Sequence, residues 1–503
     1  MSQEHVLRSR QELRARIRAL PDLGLMGAMT PRGAVLRVGD GVALVSGLFE
    51  VGSEELVAFD GGALGIAYDL GESNTGIVLL SGAETVVAGQ GALATGTPVS
   101  LLAGERLLGR VVDPLGRALD GHAVVATERR ALFPEAPGLG VRASVTRPLL
   151  TGVTAIDAAV PVGCGQRQLI VGDRNVGKTA LAMDIVFAQR HREVICVYAV
   201  IGQPLSRVLA IRDALSARDS LHHVVLVSAQ AADEPGMQYL APYAAMSIAE
   251  HFRSQGRDVL VVFDDLTKHA DAYREMALVL GRPPGREAYP GDIFYSHAEL
   301  LERATAFSDS AGGGSITALP IIETTDGDIS AYIPTNLISI TDGQLYLDAA
   351  RFERNQRPAV DVGKSVSRIG GAAQARAMRS ASRNLRIELS RFESLEAVTR
   401  VGLDVDPQTQ LALVRGRRLR ELLRQPRFTP RPPQKQMLAL LAATHGWLDN
   451  VSIAEAQEIV DGAYRQLTES QMRALDEFGE NDVEDDKLLR GLEQYFAGEH
   501  GEQ

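Results

Sequence analysis

The sequence predicts a multidomain protein: an N-terminal antiparallel β-barrel, a central α/β domain around a phosphate-binding loop, and an α-helical C-terminal domain. Three observations carry this. Between about Arg32 and Gly96, short alternating segments are broken by Gly, Asp and Asn. Between about 97 and 375, apolar strands alternate with amphipathic helices around GDRNVGKT at 172–179. From about 376 the sequence turns rich in Arg, Leu, Ala and Glu with helical periodicity.

In order, residues 1–23 read as an N-terminal helix ending near Pro21. Its arginines at 8, 10, 14, 16 and 18 are interleaved with Glu4 and Glu12. That mixture suits a solvated amphipathic helix better than an organelle transit peptide, which avoids acids. Residues 24–96 form the barrel, with AVLRV, GVALVSG, EELVAF, GIAYDL and GIVLL as strands. The barrel carries no catalytic chemistry and reads as an assembly or capping domain. In 97–375 the expected strands are QLIVGD (168–173), EVICVYAVIG (193–202), HVVLVSAQ (223–230), DVLVVFDD (258–265), ITALPIIETT (316–325) and NLISITDG (336–343). Helices at 178–190 and 237–254 lie between them, so a parallel sheet covered by helices is expected, with ligands at the strand C-termini. Residues 376–503 form the helical domain, broken at Pro426, Pro430, Pro432 and Pro433. Glu484, Asp485 and Asp486 read as a solvated acidic tail.

Bulk properties narrow the function. The 503 residues suggest two to four domains, and 45% hydrophobic with 23% charged residues is an ordinary globular mix. A net charge of −11 argues against nucleic acid as a partner. No apolar run approaches a membrane span, so work at a membrane would depend on partners. Two cysteines, Cys164 and Cys196, point away from a disulfide framework, and no His or Cys cluster has metal-ligand spacing.

The chemistry sits in GDRNVGKT, which fits G-x-x-x-x-G-K-[ST] after an apolar strand and before a helix. Backbone N–H groups of Gly172, Asp173, Arg174, Asn175, Val176 and Gly177 would cradle phosphates at the helix N-terminus. Lys178, one of only five lysines, would reach the terminal phosphates, and Thr179 would bind Mg²⁺. VLVVFDD ends a strand in Asp264 and Asp265, and Asp264 is the expected magnesium carboxylate. Hydrolysis also needs a group to activate water. A natural place for it is the end of the strand after the loop helix, where Gln203 stands. A glutamine can hydrogen-bond but cannot take the proton.

The runs TGVTAIDAAVPVGCGQRQLIVGDRNVGKTALA, GRPPGREAYPGD, LLERA, SAYIPTNLISITDGQ and SVSRIGGAAQ resemble the non-catalytic alpha subunit of F-type rotary ATP synthases. The resemblance covers nearly the whole sequence and implies a RecA-like α/β P-loop nucleotide-binding domain that holds Mg-ATP or ADP without turning it over. It implies an alternating ring with beta subunits around a gamma stalk, and a delta or peripheral-stalk contact through the N-terminus. It also implies a peripheral place on the cytoplasmic face of a bacterial plasma membrane, with coupling to H⁺ or Na⁺. Gln203 falls where the catalytic beta subunit has Glu. Arg357, Pro358 and Gln425 match positions around adenine. Arg368 matches the arginine that crosses to the neighbouring beta site, and Ser365 a position needed for activity. Residues 281–292 are similar to the loop near the stalk.

Departures from the family pattern are Asn175-Val176 in the loop, Cys164 before it, Arg427 near the base, a short linker at 306–314 and Lys364 before SVSR. They suggest a divergent branch, such as the sodium-linked bacterial enzymes, and bear on nucleotide affinity. A self-contained ATPase of related fold would carry Glu at 203. An RNA-translocating hexamer would need a basic pore, whereas the barrel here is acidic (Glu50, Glu54, Glu55, Asp60, Asp69, Glu72). A purely regulatory nucleotide-binding subunit is the remaining alternative.

Overall fold

A computed structural model describes residues 32–122, 128–399 and 406–497. The expected helix at 1–23, and with it the peripheral-stalk contact, lies outside the described residues. The protein divides into two compact units after Pro98.

The first unit is a closed barrel. Its strands are β1 (Arg32–Gly39), β2 (Val42–Ser46), β3 (Glu55–Phe59), β4 (Leu64–Leu70), β5 (Asn74–Ser81) and β6 (Gly91–Pro98). They close in the order β1-β2-β5-β4-β3-β6, every neighbour antiparallel. Asp40 and Gly41, both at positive φ, turn β1 into β2. Such a pair makes the two-residue hairpin whose twist matches the flanking strands. Val35, Val45, Val57, Phe59, Ile77 and Leu79 fill the interior.

The second unit is built on a mostly parallel sheet. Its main strands are β7 (Val111–Val112), β8 (Leu169–Asp173), β9 (Ile195–Gln203), β10 (Val224–Gln230), β11 (Asp258–Asp264), β12 (Ser315–Thr324), β13 (Gly343–Leu347) and β14 (Val366–Ser367). The spatial order is β14-β13-β8-β12-β11-β9-β10-β7, parallel from β13 to β7, with β14 an antiparallel edge. Strands β8 to β12 are buried nearly end to end, as expected when helices cover both faces.

One expected strand is a helix. NLISITDG reads as extended because Ile and Leu recur in it, but helix Tyr332–Ile340 occupies most of it and the strand begins at Gly343. Ile333, Leu337 and Ile340 are buried at helical spacing, so packing every third or fourth residue overrides the β-branched composition.

Helices from Arg376 to Ala497 follow. Their apolar faces join a core continuous with that of the sheet: Leu385, Leu419 and Leu438 belong to the same cluster as Ile156 and Leu181. Asp406 caps helix Pro407–Leu423, with Pro407 at its first position, and Pro433 opens Pro433–Thr444. In the acidic tail Asp485 is more than solvated: its carboxylate accepts from the backbone N–H of Gly479 at 2.9 Å.

Candidate nucleotide site

The loop at 172–179 joins β8 to helix Lys178–Ala188. Three residues shape it. Gly172 lies where a Cβ would sit 2.5 Å from the Leu347 carbonyl of β13, so only glycine lets the strands pair. Asn175 and Gly177 have φ of 64° and 98°, the left-handed region that Asn tolerates and Gly adopts freely. These turns bring the backbone over the helix N-terminus, where free N–H groups and the helix dipole favour an anion.

Lys178 is buried, and its Nζ donates to the carbonyls of Gly172 (2.9 Å) and Asp173 (2.6 Å). Burial pulls its pKa down, opposed first by Glu323 and then by Asp265, Asp264 and Asp173. Thr179 donates its hydroxyl to Oδ2 of Asp264 at 2.8 Å. With its hydroxyl hydrogen directed at Asp264, the Thr179 oxygen keeps its lone pairs for a cation, so Thr179 and Asp264 fit the magnesium role chemically. The Asp173 carboxylate accepts from Thr324 Oγ1 (2.6 Å) and Gly327 N (2.8 Å), tying the strand end to the turn after β12.

Sequence reasoning missed two groups here, Tyr198 and Glu323, and gave Asp265 no role beyond its place in the strand-end pair. Tyr198, buried in β9, donates its hydroxyl to the same Oδ2 of Asp264 at 2.8 Å. Burial raises the Asp264 pKa, with the two hydroxyls acting against it. Asp265 accepts from Lys268 N and caps helix Leu266–Val279; burial, then Asp264, pushes its carboxyl up to about 7. Glu323, register partner of Gly172 in the adjoining β12, lies 3.8 Å from Lys178 Nζ and 3.3 Å from the Arg174 guanidinium. A polar residue ending an apolar strand was the available signal for Glu323. Tyr198 gave none beyond a hydroxyl needing a partner inside a buried strand.

Gln203 ends β9, three residues beyond Val200, the register partner of Asp264. It is half-buried, and its carbonyl accepts from Ala231 N. The preceding Gly202 has φ 61°, and a Cβ there would meet Gln238 and Lys268 within 3 Å.

A pocket of about 670 Å³ opens beside the loop, lined by Val176, Ala180, Phe352, Arg357, Pro358 and Gln425 among others. Both predicted base-side residues on the 357–358 segment are therefore brought to the loop. The Arg357 guanidinium lies 4.4 Å over the Phe352 ring. Gln425 is buried, and its amide nitrogen donates to Gly152 O (2.8 Å) and Thr429 O (2.7 Å). Its backbone N–H donates to Arg357 O at 2.7 Å. Gln425 thus fixes the pocket wall with hydrogens already spent on the backbone. Asp184, on the loop helix, faces the same pocket and accepts from Phe428 N. Burial pushes its carboxyl up to about 7.

Arg368 stands apart from this pocket, on the exposed turn after β14. Its backbone N–H donates to Asp342 O (2.7 Å), and its side chain makes a long bond to Ile338 O (3.3 Å). Ser365 is fully buried, and its Oγ accepts from Tyr346 N at 3.0 Å, so it anchors this segment to β13. Lys364 lies 3.8 Å from Asp348 and 4.7 Å from the Tyr346 ring centre. Cys164 is buried, with burial raising its thiol to about 11.

A parallel sheet with a phosphate loop at a strand C-terminus, a strand-end aspartate on the loop threonine and a base-sized pocket alongside define a P-loop nucleotide-binding protein. The protein belongs to the ATP synthase alpha/beta family. The beta-barrel domain of that family matches residues 31–96, its nucleotide-binding domain 152–367, and its C-terminal domain 374–498. It is thus of the kind that builds rotary ATPases and binds ATP or ADP. Among the described residues no helix is long and apolar enough to cross a membrane.

Proposed function

We propose that this protein is the alpha-type, non-catalytic subunit of an F-type rotary ATP synthase. It would hold Mg-ATP or Mg-ADP in its own site and supply Arg368 to the catalytic site of an adjacent beta subunit. The observation that carries the reading is Gln203 at the end of β9. An amide there can orient water but cannot act as base, so phosphoryl transfer to water lacks its proton acceptor.

The rest of the site supports tight holding. Lys178 and the loop N–H groups would grip the phosphates, Thr179 and Asp264 the magnesium ion, and the wall at Arg357, Pro358 and Gln425 the base. Magnesium, when bound, neutralises phosphate charge. Arg368 is exposed and makes no ion pair with a described carboxylate, as suits a guanidinium offered to another subunit. An always-charged planar fork can stabilise charge on a transferring phosphoryl group. The assembly would be an alternating ring with beta subunits around a gamma stalk, peripheral to a bacterial plasma membrane and coupled to H⁺ or Na⁺ through membrane subunits.

Two measurements test this. The isolated subunit should bind Mg-ATP with negligible turnover; brisk turnover by a pure preparation rules out the non-catalytic role. In a reconstituted ring with beta subunits, Arg368→Ala should cut ATPase activity by about 10³-fold or more while nucleotide binding to this subunit persists. A fully active ring rules out the cross-interface role.

A further inference from the structure

We propose that Glu323 sets the phosphate-number preference of this protein's own site, penalising a triphosphate relative to a diphosphate and making triphosphate binding depend on Mg²⁺. The inference rests on the nucleotide reading of the loop and extends it to one residue.

The register fixes the placement. Strand β12 runs parallel to β8 with Gly172 opposite Glu323, so the carboxylate emerges beside the first residue of the phosphate loop. The Glu323 backbone N–H donates to Thr267 Oγ1 at 2.9 Å, which holds this end of the strand. From there the side chain reaches two cations, and both belong to the loop. One oxygen lies 3.8 Å from Lys178 Nζ, the other 3.3 Å from Arg174. Among the described residues, the partners of these oxygens are the two cationic side chains. Glu323 therefore stands where a phosphate oxygen would seek its partners.

The consequence depends on phosphate number. Lys178 is the group that grips the terminal phosphates of a bound triphosphate. A third phosphate held there comes close to the Glu323 carboxylate, and like charges at such range in a partly buried site repel. A diphosphate ends one phosphate sooner and feels less of this. Asp264 and Asp265, both buried at the same strand ends, place two more carboxyl groups near Lys178, and among the described residues Lys178 and Arg174 are the only cationic side chains against Glu323 there. A divalent cation between the phosphates and these carboxylates would relieve the repulsion. Arg174 is largely exposed, so it can leave Glu323 for solvent or phosphate at little cost.

The test is equilibrium binding to the full-length protein, with ATP and ADP titrated separately in Mg²⁺ and in EDTA. For Glu323→Gln, ATP should bind about tenfold tighter and ADP should change less than twofold. The gain for ATP should be larger in EDTA than in Mg²⁺. Glu323→Ala, which removes the hydrogen-bonding head as well, should shift the ATP-to-ADP ratio the same way, and thermal melting checks that each variant folds. Equal changes for the two nucleotides, or weakened ATP binding in both variants, would overturn the proposal and make Glu323 a support for Lys178. If the wild-type protein binds neither nucleotide, the site reading itself falls. If it binds both and the ratio does not move, only the role of Glu323 falls.

Discussion

The hydroxyl of Tyr198 and the carboxylate of Asp264 lie 2.8 Å apart inside the sheet, and Thr179 donates to the same carboxylate oxygen. One oxygen of Asp264 is thus occupied by two donors, while the other has no hydrogen-bond partner among the described residues. The two hydroxyls also favour the ionised form of a carboxylate whose pKa burial raises. A hydrogen bond to a charged group contributes about 1.5–3 kcal/mol. Tyr198→Phe should therefore raise the Mg²⁺ concentration needed for half-maximal ATP binding by roughly tenfold. Nucleotide binding measured in EDTA should change little. An unchanged Mg²⁺ dependence would mean that Thr179 alone suffices.

Gly172→Ala should damage the site through the fold. The new methyl would sit 2.5 Å from the Leu347 carbonyl, a backbone atom held in the β8–β13 pairing. Overpacking against a rigid neighbour costs about 1–3 kcal/mol. Chemical denaturation should show that loss, accompanied by weaker nucleotide binding. A variant as stable as the wild type would show that β13 yields easily.

Arg386 steadies the segment that carries Arg368. Its Nη2 donates to Val362 O (2.7 Å) and Ser365 O (2.6 Å), linking helix Leu385–Thr399 to that loop. Arg386→Ala should reduce the activity of a reconstituted ring about tenfold, an effect of about 1–2 kcal/mol for two charged-donor bonds at an exposed position. Nucleotide binding to the isolated subunit should be unchanged, and Arg386→Lys should recover part of the activity. Full activity in the alanine variant would show that Ser365 and β14 fix the loop unaided.

Asp184 gives a pH signature. Its carboxyl, pushed up to about 7 by burial, keeps a proton that the unfolded polypeptide loses near pH 4. Between those values the folded protein binds more protons, so stability falls as pH rises and the cost is complete above about 7. Asp264 and Asp265 shift in the same direction, so the informative quantity is the difference between wild type and Asp184→Asn. That variant should gain on the wild type from about pH 4 to 7, by up to about 4 kcal/mol, and hold the gain above. Melting temperatures across pH 5–8 check this; a constant difference would refute it.

The loop was legible in the sequence because its backbone geometry demands Gly at 172 and 177 and its chemistry demands Lys178 and Thr179. The barrel was legible because alternation and glycine breaks recur at short spacing. Helix Tyr332–Ile340 was not, since its Ile and Leu content fits a strand as well, and only burial at helical spacing decides. Tyr198 and Glu323 share another reason for being hidden. Each acquires its meaning from a partner far along the sequence: Glu323 from Gly172 through parallel register, Tyr198 from Asp264 across paired strands. Sequence patterns report local period well and cross-strand neighbours poorly.

The barrel's closure has a consequence for how copies could meet. A ring of six strands, each paired on both sides, offers no row of free N–H and C=O groups to a neighbour. Such barrels can stand side by side at high local concentration without annealing into a shared sheet. Whatever holds them in register must be side-chain contact, which can be made and released in a way that a backbone ladder cannot.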